Sequence, residues 1–350
     1  MEKKVLYKED DLFDAALKAF RENFADTPIH VDVLGPGKKF GPDMVVDKQV
    51  ILTIDENQFP YYAKIKNNLT RANVGLMIHR RKLLPEALLL VTYYVNDIMA
   101  EFLKENRIEF IDATGNAYIN RRPFYIYKKG NKPREKVQNT PPGQAFRPAG
   151  LKVVFAFLCD PLIMNKNYRT IAQTAGVALG NIGRLMIDLK RQGFLLDKGK
   201  KGRLLIDKQR LLERFVEEYP RRLRHQILLG RFRGDPEWWW NKSADYENAL
   251  WGGEVAAAKM GNYLKPQTMT VYIKQEWLND FLLKNRLKKD ANGEVEVLRM
   301  FWAPNTLAGK KGLVHPILAY ADLIATGDQR NIEAAKAIYE QDIVRFIRED

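Results

Sequence analysis

The feature that most limits how this chain can fold is a proline-rich break near its middle. Residues 129–149, KGNKPREKVQNTPPGQAFRPA, hold four prolines (Pro133, Pro141, Pro142 and Pro148) and almost no large apolar side chains. Proline fixes φ and donates no backbone hydrogen bond, so neither a helix nor a central strand runs through such a stretch. Residues 131–149 therefore read as a basic linker. At 350 residues the chain exceeds what one hydrophobic core ordinarily organises, which agrees with a division into domains.

On the N-terminal side, Phe13, Ala16, Leu17 and Phe20 recur at helical spacing. β-rich runs follow at 30–34, 50–54, 59–65, 88–94 and 124–127, with a helical stretch at 96–105. Residues 1–130 are thus expected to form an α/β domain. Beyond residue 210 helical patterns dominate, interrupted by strand-like TMTVYI (268–273) and VEVLRMFW (295–302). That pattern predicts an α+β domain over 211–350, and a multidomain α/β plus α+β fold overall. The single cysteine, Cys159, excludes an intramolecular disulfide framework. The four histidines (His30, His79, His225 and His315) show none of the close spacings used by zinc sites. No apolar run approaches the length of a membrane span, so a cytoplasmic protein without cofactor or metal is expected.

The distribution of charge is more informative than its sum. Residues 121–210 carry 20 Lys/Arg against 5 Asp/Glu, while the other 260 carry 37 against 38. One segment holds the entire excess, as a phosphate-binding footprint would. Within it, Ile171, Ala172 and Ala175 lie with Tyr168 on one face of a short helix. Gly176 supplies a tight turn, and Ile182, Leu185, Met186 and Leu189 line the buried face of a second helix. Asn181, Arg184, Asp188 and Arg191 fall together on its other side. Apolar 194–196 and 204–206 bracket DKGKKG, a hairpin carrying Lys198, Lys200 and Lys201, with Arg203 after it. Helix, turn, helix and hairpin over 150–210 make a winged helix-turn-helix. Its expected DNA contacts are Tyr168, Arg169, Thr170, Leu179, Asn181, Arg184, Arg191, Lys198, Lys200, Lys201 and Arg203. Winged helices also serve as protein-interaction modules, so a scaffold is an alternative. Residues 211–350, with 21 Lys/Arg against 20 Asp/Glu, offer no dominant phosphate surface and are expected to be dispensable for DNA binding.

GPDMVVD (41–47) and YAKIKNN (62–68) resemble the restriction-endonuclease-like signature of Pro-Asp, a hairpin, and Glu-x-Lys. That resemblance implies a Mg²⁺ site in which two carboxylates hold the metal and a lysine assists the nucleophile. Asp43 and Lys66 match, whereas Lys64 stands at the glutamate position. A cation there repels the metal, so an inactive nuclease-like domain is expected; the alternative is a DNA nuclease in which Asp55, Glu56 or Asp112 replaces the lost carboxylate. The tryptophans of DPEWWWNKS (235–243) read as a domain clamp, GPGKKFG (35–41) as a turn, and Glu254 has no visible partner.

RPAGLKVVFAFLCDP running into YRTIAQTAGVALGNIGRLMIDLKRQGFL, then LWGGEVAAAKM and YADLIATGDQRNIEAAKAIYE, resembles the AbiEi family of type IV toxin-antitoxin antitoxins. IEFIDATGNAYI (108–119) is similar to the N-terminal domain of its long members. The resemblance implies a regulator that binds operator repeats, represses its own operon and counteracts a nucleotidyltransferase toxin without necessarily forming a stable complex with it. A homodimer is compatible with that role. Compact members place the winged helix at the N-terminus. Here it stands mid-chain, behind a nuclease-like domain.

Overall fold

The computed structural model describes residues 9–40, 44–133, 143–235, 239, 248–261, 263–303, 306–307, 309 and 312–348. The chain divides into two compact units, 1–141 and 142–350. The fold is mixed α/β, with several sheets and helices in these units.

The first unit is built on a seven-stranded sheet. Its strands are β1 (Ile29–Pro36), β4 (Lys48–Ile54), β5 (Asn57–Lys66), β6 (Ala87–Thr92), β7 (Glu109–Asp112), β8 (Ala117–Arg121) and β9 (Phe124–Lys128), in that spatial order. Short β2 (Lys39–Phe40) and β3 (Met44–Val45) pair separately. The central trio β5, β6 and β7 is parallel and the flanks are antiparallel. β6 reads ALLLVT and has both faces buried, as a strand between parallel neighbours requires. α1 (Glu9–Asn23) buries Leu12, Phe13, Ala16, Leu17 and Phe20 in the core shared with β4, β5 and β6. α2 (Arg71–Arg80) starts at a reciprocal Thr70/Asn73 cap, and α3 (Asp97–Glu105) at an Asn96 cap. β7, β8 and α2 have no counterpart in the element pattern read from sequence.

In the second unit, α4 (Pro148–Cys159), α5 (Tyr168–Ala175) and α6 (Leu179–Arg191) precede a hairpin of β10 (Leu195–Asp197) and β11 (Arg203–Leu205). α7 (Lys208–Tyr219) leads into a five-stranded sheet in the order β13 (Ala249–Gly252), β14 (Met269–Ile273), β16 (Val295–Arg299), β12 (Leu228–Arg233) and β15 (Lys288–Lys289). α8 (His225–Ile227), α9 (Gly253–Gly261) and α10 (Leu278–Lys284) accompany the sheet. α11 (Pro316–Thr326) and α12 (Gln329–Ile338) meet at Gly327, whose left-handed φ of 71° ends the first helix; the Asp328 side chain then caps the second.

α4 explains why the second unit holds together. Leu151 and Val153 to Leu158 are all buried, so apolar side chains surround the helix and it needs cover on every side. It packs against α5, α7 and α11. The Phe155 ring lies 5.9 Å from Phe215, 5.4 Å from Phe301, 5.6 Å from Trp302 and 6.4 Å from His315. The backbone joins in as well: Ala303 N donates to Thr174 O at 2.9 Å. At Gly176 a Cβ would stand 2.2 Å from Phe301 O, and φ is +62°, so only glycine fits this turn. Residues on both sides of position 210 therefore share one core. The segment expected as linker is also ordered at its far end. Gln144–Phe146 form a 3₁₀ turn with Ala145 and Phe146 fully buried, the Phe146 ring lies 5.8 Å from Phe194, and Pro148 opens α4. Residues 134–142 lie outside the described residues.

Dispensability of residues 211–350 does not survive this packing. Phe155→Ala is expected to cost about 3–5 kcal/mol, the usual range for a buried phenylalanine. A chain ending at Arg210, stripped of Phe215, Phe301, Trp302 and His315, is expected to lose cooperative unfolding; urea titration followed by circular dichroism measures both. Burial also pushes the imidazole of His315 down to about 4. Below the ordinary histidine value near 6.5 the unfolded chain then binds a proton that the folded chain refuses, so stability falls as pH drops from about 6.5 towards 4. His315→Asn, which retains a side-chain acceptor for the Ile317 N–H, is expected to flatten that loss in urea midpoints measured across the same interval.

Candidate nucleic-acid interface

Local rules set the geometry of the helix pair. The Asn167 side chain accepts from Thr170 N at 2.9 Å and caps α5. Gly176 ends it in the left-handed region, and the chain re-enters α6 three residues later. Ile171, Ala172, Ala175, Ile182, Leu185, Met186 and Leu189 are buried between the two helices and their surroundings. Arg169, Leu179, Asn181, Arg184 and Arg191 are exposed, Tyr168 retains 42 % exposure, and Thr170 is half-buried.

Asp188 does not join Asn181, Arg184 and Arg191 on the exposed face. It is buried, and its carboxylate accepts from Ala145 N at 2.9 Å, Gln192 Nε2 at 2.7 Å and Arg191 Nη2 at 2.9 Å. It fastens α6 to the turn that precedes α4, and it engages one donor of Arg191 while leaving most of that side chain in solvent.

In the hairpin, Lys198, Lys200 and Lys201 are exposed. Arg203 differs: it is half-buried, lies over the Tyr168 ring at 5.6 Å, and donates to Lys166 O at 3.2 Å. Asn165 braces it from below, donating to Arg203 O at 2.9 Å and accepting from Arg203 N at 2.6 Å. This two-way amide clasp sets the angle of the hairpin. Nothing in the residue pattern around Asn165 announces it, because it joins positions 38 residues apart.

Ile187 on α6 escaped sequence reasoning, whereas the two glycines inside that helix, Gly180 and Gly183, are visible in the sequence itself. Ile187 is 70 % exposed, Gly180 faces open space, and Gly183 is half-buried beside Tyr168. A Cβ on Gly180 would meet nothing within 4 Å, and one on Gly183 only the edge of the Tyr168 ring at 3.8 Å. Each glycine costs a helix about 1 kcal/mol relative to alanine, and packing within the described residues does not require either.

The nuclease-like positions are arranged differently. Asp43 lies outside the described residues. Lys64 is bound by Asp47, Nζ to Oδ1 at 3.0 Å, and Asp47 also accepts from Ile65 N at 2.6 Å. Lys66 is half-buried at the end of β5. Asp55 and Glu56 occupy the exposed turn between β4 and β5. Asp112 is buried, and burial pushes its carboxyl up, opposed by hydrogen bonds from Asn116, Thr114 and Val95. It accepts five of them: from Val95 N, Thr114 N, Thr114 Oγ1, Asn116 N and Asn116 Nδ2, at 2.7–2.9 Å. These bonds within its own loop and to Val95 occupy the acceptor capacity of the carboxylate. Among the described residues no group of three His, Cys, Asp or Glu side chains could hold a metal.

The sheet half of the second unit holds a cleft of about 330 Å³ whose lining includes Arg224, Arg231, Glu296 and Asp322. Arg224 bridges Asp322 at 2.9 Å and Glu296 at 2.7 Å, and Arg231 takes the other Glu296 oxygen at 2.9 Å. Burial pushes the Asp322 carboxyl up while Arg224 and Tyr272 oppose it. Each of these four side chains thus has an oppositely charged partner in the cleft. Glu254 is partnered after all, accepting from Gln267 N at 2.6 Å, Arg330 Nη2 at 2.9 Å and Asn331 Nδ2 at 3.0 Å. Trp239 is buried in the core of the sheet, consistent with a clamp; Trp238 and Trp240 lie outside the described residues.

Residues 203–344, from β11 to the final helical turn, match a family of transcriptional regulators. Its description is "Transcriptional regulator, AbiEi antitoxin, Type IV TA system", and this segment of the chain is similar to that family. The match begins after α5 and α6, so it covers the cleft and most of the shared core but neither member of the helix pair. No curated protein and no solved structure matches the chain. No described helix is long and apolar enough to cross a membrane.

Proposed function

We propose that this protein is a cytoplasmic DNA-binding regulator that acts as the antitoxin of a type IV toxin-antitoxin system and represses its own operon. α5, α6 and the β10–β11 hairpin act as a winged helix-turn-helix on double-stranded operator repeats. The toxin it counteracts is a nucleotidyltransferase, with no stable complex required, and the two halves of a repeat are met by two copies of the chain. The observation that carries this reading is the conjunction of two facts. The segment with the whole positive excess displays Arg169, Arg184, Arg191, Lys198, Lys200 and Lys201 to solvent, and it shares a core with residues that match an antitoxin-regulator family. Cations gathered on one helix face and one hairpin suit phosphates and guanine edges; a surface serving solubility alone would mix signs.

The first unit is inactive as a nuclease in this reading. Supporting it, an ammonium occupies the position of a metal-binding carboxylate and is already paired with Asp47. Plasmid incubated with the protein in Mg²⁺ or Mn²⁺ is expected to stay supercoiled. Nicking that disappears in Asp43→Ala would establish the enzyme alternative instead.

Helix and hairpin are expected to respond differently to mutation. Asn181→Ala or Arg184→Ala should cost about 1–3 kcal/mol on the operator and relax base preference, with less effect on random duplex. Lys200→Ala or Lys201→Ala should weaken both duplexes alike and lower the salt slope by about 1 per lost phosphate contact. Arg203→Ala should act by loosening the hairpin, because that side chain is engaged with Tyr168 and Lys166. Affinities for both duplexes across a salt series test this. Unchanged binding in every variant would reject the DNA-binding role.

A further inference from the structure

Resting on the proposed DNA reading, we infer that Ile187 is a specificity-determining residue that packs on a thymine methyl group in the major groove. On α6 the exposed arc runs through Gly180, Arg184, Ile187 and Arg191, with half-buried Gly183 at its edge, at the i+3 and i+4 spacings that place residues on one helix face. Ile187 sits in the middle of that arc with 70 % of its surface in solvent. Gly183 and Arg184 lie one turn before it and Arg191 one turn after. A large β-branched side chain among cations is a poor choice for a solvated face, and Ile187 gains little from the fold that leaves it exposed.

The surroundings select the partner. Phosphates would engage Arg184 and Arg191 but offer nothing to an isoleucine. An apolar protein surface would suit Ile187 but bury the Arg184 guanidinium without counter-charge, at a high cost, and give Arg191 nothing beyond its bond to Asp188. A major groove containing thymine supplies both kinds of contact: acceptors and phosphates for the arginines, and the C5-methyl, the apolar group at the base edges, for the isoleucine. The two glycines fit the same partner. Gly180 leaves the helix backbone bare on the arc that Ile187 occupies, Gly183 leaves it bare beside the Tyr168 ring, and neither is needed for packing within the described residues. A bare backbone lets the helix sit deep enough for a four-carbon side chain to reach a base edge. Leu179, 49 % exposed at the first turn, lies about 12 Å from Ile187 along the axis. That distance exceeds three base-pair steps, so the two residues meet different bases.

The test uses the full-length protein and a duplex selected by it from a random pool, with each thymine replaced in turn by deoxyuridine, which pairs identically and lacks only the methyl. At one position the wild type is expected to lose about fourfold in affinity, the value of one buried methyl. Ile187→Ala should bind the thymine duplex about fourfold more weakly and show no thymine-to-uracil difference at that position. Its urea midpoint should match the wild type, since the side chain is mostly in solvent. Arg184→Ala should weaken thymine and uracil duplexes alike while keeping their ratio. Indifference of the wild type to every replacement overturns the inference and leaves the regulator reading standing. So does a thymine-to-uracil difference that persists unchanged in Ile187→Ala. Failure to select any preferred duplex defeats the regulator reading, and this inference with it.

Discussion

The burial of Phe155 is the interaction on which the second unit depends. Its ring is enclosed by Phe215, Phe301, Trp302 and His315, contributed by α7, the chain beyond β16 and the start of α11. Because α4 is apolar on all sides, it acts as an axle rather than as a surface helix. The helix pair rests on one side of this axle, and residues of the segment that matches the regulator family on the others. Backbone contact at Thr174–Ala303, and the close approach of Gly176 to Phe301, bind the inter-helix turn to residues far away in sequence. The exposed basic surface is therefore held by the same core as the cleft on the sheet.

Electrostatic roles within the basic segment divide by burial. Asp188 is engaged locally by a guanidinium, an amide and a backbone N–H, so it orients α6 while offsetting charge of Arg191 alone among the exposed cations. Asn165 performs a similar task for the hairpin with an uncharged group. The exposed lysines on the hairpin are left with a flexible reach that suits phosphates in several positions. Arg203, with its guanidinium over Tyr168, supports this array from beneath.

Much of this was legible in the sequence. The strands at 50–54, 59–65 and 269–273, the helical faces of α1 and α6, and the helix joint at Gly327 follow from periodicity and from glycine chemistry. β7 and β8 escaped because they are short and include Glu109, Asp112 and Asn120, whose polarity hides a strand until its hydrogen-bond partners are known. Position 188 was misjudged because periodicity marks which residues share an arc but not what the rest of the chain lays over its edge; here that is the turn at Ala145. Phe146 looked like part of a linker because prolines surround it. The pairing of Lys64 with Asp47 joins neighbouring strands and has no local signature. By contrast, the dependence of α4 on later residues was available in principle: Leu151 and Val153–Leu158 are too apolar for a helix covered on one side alone.

The reach of the Phe155 contacts along the chain has a consequence for biosynthesis. Phe155 and His315 touch across 160 positions, and the loop between them must be synthesised before the contact can close. Domains commonly fold as units while the chain emerges from the ribosome. Here the basic helices emerge first, whereas Phe301, Trp302 and His315, which help to enclose α4, emerge well after them. An incomplete polypeptide would display the cations without the rigid frame that orients them. Orientation of the exposed basic surface is thereby tied to synthesis of the chain through His315.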